Sequence, residues 1–330
     1  MRKSLIIRSF KAVGWILGGV GAIAVLLTAL VAAPLTRPPP LASILDTARG
    51  VDRSAMPPLE RFQARDGTTL AYRHYPARGS GVGRAAIVVH GSSGSSTSVH
   101  ALSNALAARG VETFAVDIRG HGASGARGDI AYLGQLEDDL ADFVAVVRKT
   151  VPTAPLTLIG HSAGGGFALR VAASPIQDLF ARTVLLAPYL GYNAPTNRPH
   201  SGGWASADIP RLIGLAALRR IGVACCDALP ALAFAVPQNS EKFLTPTYSV
   251  RLMRNFGTDG EYRADLAAAT RPLTIFCGTD DELMVADQYA EAVRGITPPV
   301  DVKLIPGVNH MAIVGAPGAV TAIADDVATR

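Results

Sequence analysis

Residues 158–169 read LIGHSAGGGFAL, and this stretch decides the fold. The apolar residues 156–159 just before it predict a short buried strand, and residues 163–173 predict a helix. Ser162 lies between the two, with a glycine two positions away on either side. This arrangement is typical of a strand-to-helix elbow that presents a serine nucleophile, because such a tight turn tolerates only small neighbouring residues. A plain glycine-rich turn is the alternative interpretation.

Short apolar strands alternate with helical segments from residue 59 to residue 330. This alternation predicts an α/β domain with a mostly parallel sheet, right-handed crossovers and helices on both faces. Residues 189–270 interrupt it, and we interpret them as a partly helical insertion, called the cap below; a division into two separate domains is the alternative. Strands are expected at 59–65 and 69–75, joined as a hairpin around the turn Asp66-Gly67, and at 85–89, 112–118, 156–159, 183–187, 273–277 and 300–305. Helices are expected at 97–109, 131–149, 163–173, 287–294 and 317–328.

The start of the chain has the pattern of a membrane anchor. Residues 1–11 are basic, and residues 12–33 carry no charge and are long enough to cross a bilayer as a helix. The basic side stays in the cytoplasm, so the rest of the chain is expected outside it, in a periplasmic or other extracytoplasmic location. A cleaved signal peptide, giving a secreted protein, is the alternative. Residues 34–58 are rich in proline and predict a linker.

Charge and cysteine content exclude several classes of protein. The first eleven residues hold four of the net positive charges in a chain of net charge +5, so the remainder is nearly neutral and shows no nucleic-acid footprint. The three cysteines, Cys225, Cys226 and Cys277, have no zinc-site spacing, and whether any of them pair is left open. We expect no metal and no organic cofactor, and the sequence does not indicate an oligomeric state.

A serine nucleophile needs a base to take its proton and an acid to orient that base. His310 is the best candidate base, because it follows the predicted strand 300–305 in a loop at a carboxyl strand end. The preceding strand is followed by three adjacent acids, Asp280, Asp281 and Glu282, and the residues alone do not choose among them. The order serine, acid, histidine along the chain is the order of an α/β-hydrolase triad.

An oxyanion formed during acyl transfer needs backbone N–H donors. Ala163, at the start of the helix after the elbow, offers one free N–H. The loop after the strand 85–89 begins His90-Gly91-Ser92, and Ser92 is the candidate for the second amide. We interpret His90 itself as a structural, hydrogen-bonded histidine, and a flexible Ser/Gly loop is the plainer interpretation of this segment.

Three blocks together resemble the α/β-hydrolase superfamily: His90-Gly91, residues 117–124 (DIRGHGAS) and residues 160–164 (GHSAG). The second and third are similar to its monoacylglycerol lipase and lysophospholipase branch, often grouped with the serine aminopeptidases. In that branch the acid stands third after a glycine, which implies Asp281, with Asp280 as the runner-up. The resemblance makes residues 117–124 a structural loop and gives Arg119 and His121 no catalytic role.

These observations predict a serine hydrolase that cleaves carboxylic esters through Ser162, His310 and Asp281. An anchor and an apolar cap favour a lipid-derived ester, a monoacylglycerol or a lysophospholipid, as substrate, and residues 212–236 could line an acyl-chain pocket or simply pack on the main domain. A membrane-tethered binding module without activity, and within enzymes a peptidase or acyltransferase, are the alternatives.

Overall fold

The computed structural model describes residues 2–81, 83–240, 244–258 and 260–329, with side chains from Gly14 onward. A sheet of eight strands forms its centre, in the order β1-β2-β4-β3-β5-β6-β10-β11. The six strands from β4 to β11 in this order pair in parallel. The strands are β1 (Glu60–Gln63), β2 (Thr69–Tyr75), β3 (Arg84–Val89), β4 (Val111–Val116), β5 (Leu156–His161), β6 (Arg182–Leu186), β10 (Leu273–Gly278) and β11 (Asp301–Ile305).

Helices connect the strands as the alternating pattern predicts. Helix α3 packs on α10, and α5 packs on α8. The apolar spacing of the fourth helix puts one face, including Leu136, Leu140 and Phe143, in the core. The helices are α1 (Arg2–Val31), α2 (Ala42–Arg49), α3 (His100–Ala108), α4 (Gln135–Thr150), α5 (Ala163–Ala172), α6 (Ile209–Arg220), α7 (Val250–Asn255), α8 (Tyr262–Ala268), α9 (Gln288–Ala292) and α10 (Pro317–Thr329).

The first two strands form the predicted hairpin. Strands β1 and β2 pair antiparallel, with Gln63 opposite Thr69. Gly67 has φ 80° in the turn between them, a left-handed conformation that glycine adopts at no steric cost. The prediction of an α/β sheet with helices and a hairpin at its start is therefore confirmed.

The cap lies between two strands of the same sheet, because β6 and β10, which flank it in sequence, are paired neighbours. It contains α6, α7 and α8 and also a small antiparallel sheet, which the sequence pattern did not predict. That sheet consists of β7 (Ala205–Ala207), β8 (Pro230–Phe234) and β9 (Thr247–Ser249).

Helix α1 is apolar and exposed along residues Gly14–Val31, an 18-residue stretch with mean hydropathy 2.2. Its last turn packs on α6, where Gly214 lies so close that a Cβ there would be 3.0 Å from the Leu30 Cβ. The Arg211 guanidinium of α6 donates hydrogen bonds to the carbonyl oxygens of Val31 (2.8 Å) and Ala33. It thereby satisfies carbonyls that the end of a helix leaves without an intrahelical partner.

Helix α2 forms inside the stretch 34–58, for which the sequence predicted a proline-rich linker. Its Ile44 is 5 % exposed and belongs to the main hydrophobic core. The Thr47 hydroxyl accepts a hydrogen bond from the Asn309 side chain at 3.0 Å. This part of the stretch is therefore packed on the main α/β domain, beside the loop that carries His310.

Candidate active site

Ser162 lies at a sharp turn between β5 and α5. Its backbone has φ 54° and ψ −118°, a strained conformation for a residue with a side chain. The turn is held from both sides: the Ser162 N–H donates to the Leu186 carbonyl at 2.9 Å, and the Ser162 carbonyl accepts from the N–H of Tyr189 at 3.0 Å. The sequence-predicted elbow is therefore present, and it carries a serine that is 6 % exposed.

The two glycines beside the elbow have no room for a side chain. A Cβ at Gly160 would lie 2.1 Å from the Gly164 carbonyl oxygen, and one at Gly164 would lie 2.3 Å from the His90 carbonyl oxygen. Real Cβ atoms essentially never come within 3.0 Å of another heavy atom, and here the neighbours are backbone atoms that cannot turn away. The Gly-x-Ser-x-Gly spacing thus follows from close backbone contacts on both sides of Ser162.

His310 and Asp281 form a buried pair. The His310 Nδ1 lies 2.8 Å from Asp281 Oδ2, and their side chains are 3 % and 0 % exposed. The other carboxylate oxygen, Oδ1, accepts from the N–H groups of Leu283 (2.8 Å) and Met284 (2.7 Å). Burial disfavours the charged carboxylate, but the nearby His310 and these hydrogen bonds outweigh burial and lower the pKa of Asp281.

The structure distinguishes Asp281 from the two other acids of its loop. Asp280 is exposed and its carboxylate accepts from the neighbouring Thr279 hydroxyl at 2.9 Å. Glu282 accepts from the backbone N–H of His310 at 2.9 Å, so it contacts the loop and not the ring. Asp281 is the acid whose side chain meets the His310 imidazole.

Ser162 and His310 line one small cavity. Among the hydrogen bonds of the described residues, none joins the Ser162 hydroxyl to the His310 ring. In enzymes without bound substrate such contacts are commonly long or poorly aligned and shorten when the substrate binds.

The two amides predicted as oxyanion donors flank the serine. No acceptor for the N–H of Ser92 or of Ala163 occurs among the hydrogen bonds of the described residues, and Ala163 is the first residue of α5. Both residues line, together with Ser162, a large cavity. The absence of a side chain at Gly91 lets the Ser92 loop pass close to Ser162, because a Cβ at Gly91 would lie only 3.1 Å from the Ser162 Cβ.

Two residues of the site were not predicted from sequence. The indole Nε1–H of Trp204, in the cap, donates to the Ser92 hydroxyl at 2.8 Å and so holds the loop of the predicted oxyanion amide. The His161 ring lies 4.8 Å from the His310 ring between centroids, and its Nε2–H donates to the His310 carbonyl at 3.1 Å. His161 was visible beside the serine in sequence, whereas no local signal connects Trp204 to a loop more than a hundred residues earlier.

Burial makes His161 a neutral structural side chain. Loss of solvation, reinforced by the nearby His310, lowers the pKa of His161 to about 3. His90 is likewise hydrogen-bonded, as predicted, with Nδ1 2.7 Å from the Gly91 carbonyl and Nε2 accepting from the Ile118 N–H. These two rings support the loops on either side of Ser162.

The side chains of residues 117–124 contact other loops and helices of the fold and not Ser162, as expected of a structural loop. Asp117 accepts from the N–H groups of Ser96 (2.7 Å) and Ala123 (2.9 Å). Arg119 forms a buried ion pair with Asp139 at 2.7 Å, which leaves it no contact with the serine. His121 lies within hydrogen-bond distance of the Tyr248 hydroxyl of the cap.

Two cavities meet at Ser162. The larger, of about 750 Å³, is mostly apolar and includes cap residues from 204–216 and 232–257 in its wall. The smaller, of about 70 Å³, is lined by His310, by the loop after β3 and by α2. The large one has the volume of a site for a small organic ligand.

Metal ligands and paired cysteines do not feature in the described part of the chain. No group of three or more histidine, cysteine, aspartate or glutamate side chains there is arranged to hold a metal ion. Cys225, Cys226 and Cys277 are all free thiols, and Cys277 is buried.

Comparisons with known proteins agree with this geometry. A family model described as "Serine aminopeptidase, S33" matches residues 82–315. The chain is 30% identical over 207 residues to the 2-(acetamidomethylene)succinate hydrolase of Mesorhizobium japonicum, covering 60% of this chain and 71% of that protein. It is 24% identical over 233 residues to the monoacylglycerol lipase of Mycolicibacterium smegmatis, covering 68% of this chain and 80% of that protein.

A solved structure of a soluble variant of monoglyceride lipase from Saccharomyces cerevisiae, in complex with a substrate analog, superposes with a TM-score of 0.62. The two chains are 18% identical, with 83% of this chain and 94% of that chain covered, so this likeness concerns the fold. Fold, elbow and family together define an α/β hydrolase, a serine hydrolase of the lipase and esterase type. Within that class the chain belongs to the serine aminopeptidase S33 family.

Proposed function

We propose that the protein hydrolyses carboxylic esters of lipid-derived acids through a covalent acyl-enzyme on Ser162, with His310 as general base and Asp281 as the residue that orients it. The observation that carries the proposal is the buried pair of His310 and Asp281, 2.8 Å apart, in which His310 lines the small cavity that also includes Ser162. A neutral imidazole held by a carboxylate at Nδ1 presents its free Nε2 as a proton acceptor.

The reaction proceeds in two halves. His310 takes the Ser162 proton as the hydroxyl oxygen attacks the ester carbonyl, and the imidazolium then gives that proton to the departing alcohol oxygen as the C–O bond breaks. A water molecule, activated by His310 in the same way, attacks the acyl-enzyme and releases the free acid. The negative charge of Asp281 stabilises the imidazolium that exists in between.

The amides of Ser92 and Ala163 would stabilise the oxyanion. Each donor of this kind contributes roughly 10²–10³ in rate when it is positioned before the reaction. Trp204 supports this function indirectly, because its hydrogen bond to the Ser92 hydroxyl fixes the loop that carries the first amide.

The large cavity supports an apolar acyl group as the acid part of the substrate. Its wall contains Leu212, Ile213 and Phe234 of the cap beside Ser162 and the predicted oxyanion amides. The monoacylglycerol lipase of Mycolicibacterium smegmatis is among the relatives, which agrees with a monoacylglycerol or a lysophospholipid as substrate. A volume of about 750 Å³ accommodates a chain of this type.

Helix α1 supports a location at a membrane. It has the length and hydropathy for crossing a bilayer, its basic residues precede the apolar segment, and none of the residues Gly14–Val31 is buried by the rest of the protein. We therefore propose a single-pass anchor with the catalytic domain on the extracytoplasmic side. A cleaved signal sequence has the same appearance, and the length of the mature chain in membrane fractions distinguishes the two.

Labelling with a fluorophosphonate probe tests the chemistry directly. We expect the wild-type chain to be labelled and Ser162→Ala not to be, with hydrolysis of a graded series of fatty-acid esters increasing from short to long acyl chains. An unlabelled wild type would favour a binding module without activity. Labelling together with cleavage of short esters alone would refute the lipid substrate and leave the serine hydrolase intact.

A further inference from the structure

We propose that Trp204 and Tyr248 of the cap are positioning residues that hold the loop Ser92-Ser93 in the conformation which stabilises the oxyanion, and that an acyl chain packed on the Trp204 indole strengthens this hold. The inference rests on the proposed function and concerns the residues that adjust it to long-chain esters. It predicts that the length of the acyl chain affects kcat and not only KM.

The loop that carries the predicted oxyanion amide is hydrogen-bonded to the cap at three points. The Trp204 indole N–H donates to the Ser92 hydroxyl at 2.8 Å. The next residue uses both of its backbone groups: the Ser93 N–H donates to the Tyr248 hydroxyl at 2.7 Å, and the Ser93 carbonyl accepts from the Thr245 N–H at 2.8 Å. These contacts fix the chain directly after the Ser92 amide, so the direction of that amide depends on the cap.

The loop has little else to hold it in this conformation. Ser93 has φ 66°, a left-handed conformation that is unfavourable for a residue with a side chain and persists only when the surroundings impose it. Residues 92–98 read SSGSSTS, so the segment has no apolar side chain that would anchor it in the core. The hydrogen bonds from the cap are therefore the contacts that determine its backbone.

The Tyr248 hydroxyl is fixed by a second partner. It lies 2.5 Å from Nε2 of His121, whose Nδ1 lies 3.2 Å from the Arg119 carbonyl oxygen and therefore carries the ring proton. Burial lowers the pKa of His121 well below its usual value, so the ring is neutral and its Nε2 accepts from the tyrosine hydroxyl. The Tyr248 oxygen donates on that side and is left as the acceptor for Ser93.

The two cap residues belong to one small sheet, and one of them reaches the acyl cavity. Trp204 directly precedes β7, Tyr248 lies on β9, and the Phe234 ring of β8 lies between them, 5.8 Å from the indole and 4.6 Å from the tyrosine ring between centroids. The indole is only partly buried and lines the large cavity. A long acyl chain there would cover the indole and restrict its motion, and with it the loop at Ser92, whereas a short acyl group would not. Binding energy from a non-reacting part of the substrate would in this way be used at the reacting carbonyl.

The first test removes each polar group and keeps the ring, in Trp204→Phe and Tyr248→Phe, on the full chain in detergent micelles. We expect each variant to lower kcat on a long-chain ester about ten- to hundredfold, less than the full value of an oxyanion donor, and to change KM less than about threefold. An unchanged kcat in both variants, or a loss that lies in KM, would overturn the positioning role.

A long-chain alkyl trifluoromethyl ketone reports on the oxyanion itself. The Ser162 oxygen bonds to its carbonyl carbon, the serine proton goes to His310, and the ketone oxygen becomes an oxyanion that is not released. Because this adduct resembles the transition state, its Ki should rise in each variant by the factor by which kcat falls. A Ki that stays at the wild-type value while kcat falls would overturn the inference.

Two further variants separate positioning from general stability. Ser92→Ala keeps the amide and removes the acceptor of the Trp204 bond, so the double variant with Trp204→Phe should be no slower than the slower single variant, and multiplied losses would overturn that bond as the cause. Tyr75→Phe, on β2, is the matched control: the buried Tyr75 hydroxyl lies 3.0 Å from His100 Nδ1, a bond of the same kind as that of Tyr248 to His121. It should lower the melting temperature but keep wild-type kcat and Ki, and equal kinetic losses in Tyr75→Phe and Tyr248→Phe would make Tyr248 merely structural. If Tyr248→Phe does not fold, Trp204→Phe and Ser92→Ala decide the question.

The role of the acyl chain is tested on a graded series of esters. In the wild type kcat should rise with chain length, whereas in Trp204→Phe it should stay constant within about twofold while KM still falls. A wild-type kcat that is independent of chain length, or an equally steep rise in the variant, would overturn the coupling. A wild-type chain that is neither labelled by a fluorophosphonate nor active would be a failure of the proposed function, whereas an active wild type with unaffected variants would refute this inference alone.

Discussion

Replacing Asp281, whose side chain is fully buried, by asparagine tests the role of the acid in the proposed mechanism. The two carboxylate oxygens of Asp281 have different partners: Oδ1 accepts from the backbone N–H groups of Leu283 and Met284, and Oδ2 accepts from His310. In Asp281→Asn the side-chain carbonyl has to keep the first position, because an amide NH₂ there would face two N–H donors. The NH₂ group then points at His310 Nδ1.

An NH₂ donor at that position reverses the tautomer of the ring. His310 would accept at Nδ1 and carry its proton on Nε2, the nitrogen that takes the Ser162 proton in the proposed mechanism, so that nitrogen could no longer accept one. A change of this kind lowers kcat by about 10⁴ in a serine protease triad, which corresponds to about 5.4 kcal/mol in the activation barrier. We expect a loss of the same order here.

The measurement is kcat on a chromogenic fatty-acid ester, with thermal unfolding as a check of the fold. The backbone hydrogen bonds to Oδ1 are kept, and a neutral hydrogen bond replaces the charge-assisted bond to the ring. The variant should therefore remain folded and lose at most roughly 1.5–3 kcal/mol, the value of a bond to a charged group. Asp280→Asn, one residue earlier and exposed, is the matched control and should keep wild-type kcat. A folded Asp281→Asn with less than a tenfold loss, or an equal loss in Asp280→Asn, would refute the reasoning.

Three further predictions concern the surroundings of the site. Gly164→Ala puts a methyl group 2.3 Å from the His90 carbonyl oxygen, and we expect it to lower stability by about 1–3 kcal/mol and kcat by about 10²-fold. Gly318→Ala, at a position with open space around it, is the control and should lower neither. Equal changes of melting temperature and kcat in the two variants would contradict this prediction. The His161 ring is neutral in the folded protein and binds a proton in the unfolded chain below a pH of about 6.5, so the free energy of unfolding should fall as the pH drops from 6.5 towards 3. In His161→Gln, the dependence of this free energy on pH, measured by urea titrations, should be smaller by up to about 1.4 kcal/mol per pH unit. An unchanged dependence on pH would refute the assignment. Arg211→Ala removes the hydrogen bonds to the end of α1, and we expect proteolytic cleavage between residues 33 and 41 to become at least tenfold faster. The kcat on a soluble ester should change little. An unchanged cleavage rate would show that the Arg211 contacts do not hold α1.

Much of the fold could be predicted because the informative signals are local. A buried parallel strand is a short apolar run, and Gly160 and Gly164 around Ser162 are fixed by contacts within one strand-turn-helix unit. The geometry also brings His310 to an acid of the expected loop, since the carboxyl ends of neighbouring parallel strands meet at one edge of the sheet.

What the sequence did not reveal depends on contacts between distant segments. Helix α2 is short and weakly patterned, and it is stabilised by burial of Ile44 and by Asn309, which lies far along the chain. The cap sheet is similarly made of strands of three to five residues, too short for a recognisable alternation. Trp204 acts on Ser92 across the cap, a relation that no spacing in the sequence expresses.

The hold of Arg211 on the end of α1 has a consequence for where the enzyme can work. With α1 in a bilayer, a flexible proline-rich linker would let the domain take many heights and orientations above the membrane. The Arg211 guanidinium, bound to the carbonyls of Val31 and Ala33, would instead keep the domain at one height and in one orientation. Ile209 and Ile213, each 55 % exposed, would then rest at the lipid surface beside the opening of the acyl cavity. An enzyme held in this way would act on esters in the membrane leaflet that it contacts, and not on esters dispersed in bulk water.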